Sequence, residues 1–221
     1  MSLAVSLLTN DPDNADSLTY TTSAVTPSGS CGILVVAGYT TNTTLAPPTL
    51  DVPTWLDGAW AQEADASSGT LALTVFSGKA IASPSSDDLT ATFDVTQAGC
   101  NLSIVQVTGQ DPTTFTRQAT PDSGAAATSA SVTLPGALLA STSLIFGAIG
   151  IAVNSAISPT NGETVVYDTG HNAPARRTEA QFKLNDTTTS WSFASSIHRA
   201  VALELIEASG AAALAPWLTT L

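Results

Sequence analysis

The chain has 221 residues, of which 43% are hydrophobic and only 11% charged; 18 acidic side chains against 6 basic ones leave a formal net charge of −12. So much apolar content with so little charge excludes intrinsic disorder, and the length suffices for one large β domain or two small ones. A surface this negative repels phosphate backbones, so nucleic acid is not an expected partner.

The start, Met1 to Leu8, is apolar but has no basic segment, and Asp11-Pro-Asp13 follows it, so no secretory signal is read. The longest uncharged apolar run, Leu144 to Val153, is about half of the roughly 20 residues a membrane span needs. The expectation is a soluble protein made in the cytoplasm, in which the glycosylation-like triplets at Asn42, Asn101 and Asn185 are chance. The two cysteines, Cys31 and Cys100, could be bridged if their strands are neighbours, but a cytoplasmic origin favours two buried thiols.

In chain order, residues 1–17 read as an N-terminal arm whose first ten residues are apolar, with a turn cluster at Asn10 to Asn14. Leu18 to Val25 reads as a strand. Gly32-Ile-Leu-Val-Val-Ala37 is the most apolar short run and reads as a strand covered on both faces. A proline-rich connection with Pro47, Pro48 and Pro53 delivers Trp55 and Trp60. Thr70 to Phe76, Leu89 to Val95 and Leu102 to Val107 follow as strands, the last closed by Thr108-Gly-Gln-Asp111.

Residues 109–125, with Pro112, Pro121 and Gly124, read as a long loop. Ala127 to Leu134 and Ser143 to Val153 are strands, and Asn154 to Arg177 is irregular. Gln181 to Leu184, Ser190 to Phe193 and Ile197 to Ile206 complete the fold. Phe93-Asp-Val95 precedes the run at Leu102 as Trp191-Ser-Phe193 precedes the run at Ala200, which suggests two hairpins of one design in a sheet that closes on itself.

Turn signals every 8–15 residues without a convincing amphipathic helix predict an all-β, antiparallel β-sandwich, jelly-roll-like, with apolar N- and C-terminal arms. The sandwich is expected over 18–207, with 208–221 as a tail.

Several motifs resemble a β-sandwich module of tailed-phage virion proteins, found in head-decoration and tail or fibre proteins. They are Gly32 to Ala37, Pro53-Thr-Trp55, Val75-Phe-Ser-Gly-Lys-Ala80, Thr90-Ala-Thr-Phe93 and Gly109-Gln-Asp111, with Trp191 to Leu205 similar to the closing strands. Three positions depart from the module: no Asp follows Gly32's place in Cys31-Gly32, no glycine precedes Trp55, and Cys100 stands where an aromatic is common. The resemblance implies a virion component with other virion proteins, of capsid or tail, as partners. It identifies no active site.

Candidate sites were weighed against simpler roles. Asn10 to Asp16 carries alternating carboxylates, but a calcium loop begun at Asp11 places Ala15, Asp16 and Thr22 where an oxygen ligand, Gly and Glu are needed. His171 and His198 have no further ligands nearby for zinc, and no Gly-x-Ser-x-Gly elbow positions a nucleophile. Glu63 and Asp65 are neighbours on one segment, an arrangement that rarely gives the facing carboxyls of a glycosidase.

No catalytic residue, cofactor or metal is therefore expected. Trp55 and Trp60 could contact a sugar, but core or interface roles are favoured. Leu3, Val5, Leu7 and Leu8, with Trp217, Leu218 and Leu221, would leave apolar ends in water, so these residues are the expected assembly interface.

The functional expectation is a non-enzymatic virion structural protein, a homo-oligomer (a trimer among the options) that decorates and stabilises a capsid. The absence of a fibre-like repeat or coiled coil leans toward the head. The alternative is a tail, fibre or carbohydrate- or receptor-binding module using Trp55, Trp60 and the segment 154–177.

Overall fold

The computed structural model describes residues 2–40 and 46–208. Among them the fold is all-β and antiparallel, with fourteen strands and no helix. Strands β1 (Ala4–Asp13), β8 (Gly99–Thr108), β3 (Gly32–Thr40), β6 (Leu71–Lys79) and β5 (Ala61–Ser68) form a five-stranded sheet in that order. A small sheet of β2 (Ser17–Thr21), β7 (Thr90–Gln97) and β4 (Thr49–Leu50) covers one face of it. The nested pairs β1·β8, β2·β7 and β3·β6 are those of a rolled-up hairpin, the jelly roll.

The second half repeats this plan. The sheet order β9 (Thr116–Thr133), β14 (Thr188–Leu205), β10 (Leu144–Ile151), β13 (Ala175–Leu184), β12 (Thr164–Asn172) matches β1-β8-β3-β6-β5 strand for strand. Here β9 and β14 are long enough to serve both layers. Their outer parts, Ser129–Thr133 and Thr188–Ser192, stand for β2 and β7, and β11 (Ser158–Pro159) stands for β4.

The registers agree as well. Gly32 lies opposite Lys79 and Val107, as Leu144 lies opposite Leu184 and Leu205. A bulge at Glu63, between the pairs Gln62↔Phe76 and Ala64↔Val75, recurs at Val166, between Val165↔Gln181 and Tyr167↔Ala180. Thr22 donates to the carbonyl of Leu89 as Leu134 donates to that of Thr187. The chain is two jelly-roll sandwiches of one design.

Three cores follow from this plan. The outer core of repeat one joins Ile33, Val35, Tyr39, Leu102 and Ile104 to Tyr20, Trp55 and Phe93. That of repeat two joins Ile145, Ile149, Ile151, Ala200 and Ala202 to Val132 and Trp191. Between the repeats, the inner faces of the two large sheets share a central core of Leu34, Val36, Val75, Val105 and Val107 with Phe146, Ala148, Ala180, Leu203 and Leu205. A strand caught between an outer sheet and the other repeat has no water on either side. That is why β3 and β10 read as continuous apolar runs and are buried at every position.

The structure revises four expectations. The N-terminal arm is strand β1, paired along its length with β8. The two supposed hairpins are neither: β7 and β8 belong to different sheets, and Trp191 to Leu205 is one strand, β14. A chain turning the corner between layers needs no hairpin loop, so one apolar run simply succeeds another. The loop at 109–125 is largely the first half of β9, which tolerates Pro121 and Gly124 because an edge strand has one row of N–H groups unengaged. The irregular segment 154–177 contains β11, β12 and the start of β13, turning at a cis Ala173–Pro174 bond.

Candidate assembly surface

Strand β1 sets the fate of the N-terminal apolar residues. Leu3 and Val5 face the central core. The bulge between Leu7 and Thr9 then turns the strand, so that Leu8 packs on the outer core of repeat one. Only Leu7, 38% exposed, is left to water. Three of the four side chains assigned to an intermolecular interface are thus used inside the molecule, because pairing with β8 brings both cores within their reach. Trp217, Leu218 and Leu221 lie outside the described residues.

Trp55 is fully buried, with its indole N–H donating to the carbonyl of Asp87 and its ring edge-on to Trp60 at 5.8 Å between centroids. Trp60 is half-buried, and its N–H donates to Asp51 O at 2.7 Å. The enclosed ring of Trp55 cannot stack on a sugar and is core packing, and Trp60 packs against it with one side in water, each polar tip having found a carbonyl.

The remaining candidates are also structural. Asp11 accepts from Thr9 and Ser23, and Asp13 caps the N–H of Ala15, so these carboxylates hold a turn. Glu63 accepts from Ser77 and Thr116, and Asp65 from Ser67 and Thr74. His198 is buried against Phe193 with Nε2 3.0 Å from Asp122, and burial holds His171 below the usual histidine range. Cys31 and Cys100 are free thiols in the outer core of repeat one, and burial pushes the Cys31 thiol up to about 11. No group of three or more His, Cys, Asp or Glu that could hold a metal exists among the described residues.

Two features were missed by sequence reasoning. The first is an apolar depression of about 250 Å³ at one end of repeat two, lined by Leu3, Leu144, Phe182 and Leu184 with Ser2, Thr142 and Glu207. Leu184 is 59% exposed there, and Leu139, at 60%, belongs to the neighbouring segment 137–141 that flanks a second depression. Alternation in Gln181-Phe-Lys-Leu184 does place Phe182 and Leu184 on one face. Nothing local shows that this face runs out past the end of the core.

The second is Glu179, fully buried on β13 opposite Asp168 on β12. Burial, reinforced by Asp168 and Glu163, pushes its carboxyl up to about 8, and Trp191 opposes the shift. Both its oxygens lack a hydrogen-bond partner. Asp168 is engaged by Arg177, while Glu163 accepts the N–H groups of Asn161 and Ser190.

Fold and surface together define the class: an anionic, all-β double sandwich with Leu139 and Leu184 among its exposed apolar side chains. No family model, curated protein or solved structure gives a significant match to the chain.

Proposed function

We propose that this protein is a non-enzymatic virion structural component of a tailed phage, which binds the particle surface and stabilises it. The supporting observation is where the resembling motifs lie. Gly32 to Ala37 is in β3, Val75 to Ala80 runs along and just past β6, Thr90 to Phe93 is in β7 and Gly109 to Asp111 leaves β8. These four motifs lie in chain order in one sandwich, while Trp191 to Leu205, which resembles the closing strands, is β14 of the second.

The contact surface is the end of repeat two around Leu139 and Leu184, two exposed apolar side chains that line neighbouring depressions. Burying two such side chains contributes roughly 3–6 kcal/mol, enough to guide docking onto a neighbouring virion subunit. The negative charge elsewhere discourages nonspecific contact with DNA. Head decoration is the preferred location, a tail or fibre position the second.

The test is addition of purified protein to particles lacking it, followed by sedimentation. Saturable co-sedimentation is expected, reduced about tenfold or more in the double variant Leu139→Lys/Leu184→Lys. A protein that stays in the supernatant at every concentration overturns the reading.

A further inference from the structure

The seam between the repeats is reciprocal in its apolar positions and in one pair of strand contacts, while β14 of repeat two also reaches β5 and β6 and the buried Arg199 donates to Leu71 O across it. Leu34, Val36, Val75, Val105 and Val107 on one face are matched, position for position, by Phe146, Ala148, Ala180, Leu203 and Leu205 on the other. Strand β5 of repeat one contacts β9 of repeat two, and their counterparts β12 and β1 contact each other. Such exchange of roles is what a two-fold axis imposes on an isologous interface. At the axis the segments leaving β8 and β14 run antiparallel: Gln110 bridges Glu207, Ala208 N–H donates to Gly109 O at 2.9 Å, and Asp111 N–H to Ile206 O at 2.9 Å.

We infer that this seam is a homotypic recognition surface: the inner face of each large sheet is built to bind a second copy of its own unit, and the connector 109–115 joins the two partners at one end of it. The connector itself adds one apolar side chain, Phe115, whose ring lies over Gly32. The connector also bonds across the seam, with Ile206 N–H donating to Phe115 O at 2.8 Å, besides the local bonds that Asp111 accepts from the N–H groups of Thr113 and Thr114. The partner chemistry is that of the face itself, Leu, Val, Ala and Phe side chains at the spacing of a five-stranded sheet with the buried Arg199 as its charged member. Because the inference concerns how the repeats recognise each other, it stands apart from the particle-binding role.

Two experiments on the full chain test it. In the first, the inner face of repeat two is rewritten with the residues of repeat one, as Phe146→Leu/Ala148→Val/Ala180→Val/Leu203→Val/Leu205→Val. Interchangeable faces predict a cooperative melt within about 10 °C of wild type. A control with non-equivalent placement, Phe146→Val/Ala148→Leu/Ala180→Leu, should fall further, and a symmetrised chain that falls as far as this control overturns the inference. In the second, a protease site is inserted between Pro112 and Thr113 and the folded chain is cut. The two pieces should co-elute as one particle and reassociate after dilution from urea; pieces that part in native buffer overturn the inference, whatever the first experiment gives.

Discussion

Glu179 is the residue whose chemistry departs furthest from what its surroundings favour. Repeat one has Thr74 at the equivalent place, a hydroxyl satisfied by Asp65, whereas repeat two buries a carboxyl beside the Trp191 indole without a well-formed hydrogen bond. An acid whose folded pKa is near 8 keeps a proton that the unfolded chain, with its value near 4.5, gives up. Its stabilising contribution is whole below pH 4.5, is lost as pH rises toward 8, and then levels off, a loss of roughly 3 kcal/mol by pH 7. Glu179→Gln should therefore melt several degrees above wild type at pH 8 and within about 2 °C of it at pH 5. Equal slopes of Tm against pH in the two proteins would refute this assignment.

The buried indole permits a second test at this scale. Trp55→Ala should cost about 3–5 kcal/mol in urea unfolding, as expected for an enclosed aromatic. Trp60→Ala, half-exposed, should cost less. Near-neutral Trp55→Ala would mean that the ring is not the core element described.

At the scale of elements, the two repeats serve as controls for one another. Leu184 occupies the position of Lys79, whose ammonium reaches Pro112 O at 3.1 Å. Leu184→Lys should change the stability of the monomer by no more than about 0.5 kcal/mol, while weakening attachment to particles. A large loss of stability would show that Leu184 belongs to the core rather than to a docking surface.

The same comparison explains which elements were legible. The strands buried on both faces, β3, β8 and β10, announced themselves as apolar runs, and the turn signals placed their ends well. Edge strands did not. The second half of β9 reads as a strand from Ala127, but in its first half small and polar residues with Pro121 and Gly124 look like a loop, because one flank meets water and only pairing with β14 makes that part a strand. β5, with Glu63 and Asp65, is hidden for the same reason. Pattern reports burial, and these strands are half out of the core.

For the whole molecule, the shared central core predicts that the repeats unfold together. Far-ultraviolet circular dichroism, which reports on the strands of both repeats, and tryptophan fluorescence of the wild-type chain should give coincident urea midpoints. Phe146→Ala, at the seam, should lower both midpoints equally, by about 3–5 kcal/mol in free energy. Separated midpoints would show that the seam does not couple the two sandwiches.

The sequence by itself determined the class of this protein. Its alternation, β-branched runs and turn residues allow only an antiparallel all-β chain, because those signals are local and report on neighbours within a few residues. It also held a trace of the duplication, in the matched offsets of Phe93 before Leu102 and Trp191 before Ala200. Tertiary structure decided the rest. That the trace means two sandwiches rather than two hairpins, and that Leu3 and Val5 turn inward, depend on which faces meet across the seam, while Leu8 and Glu179 are covered by the layers of their own repeats. Those meetings join residues about a hundred positions apart in the chain, where no local pattern reaches.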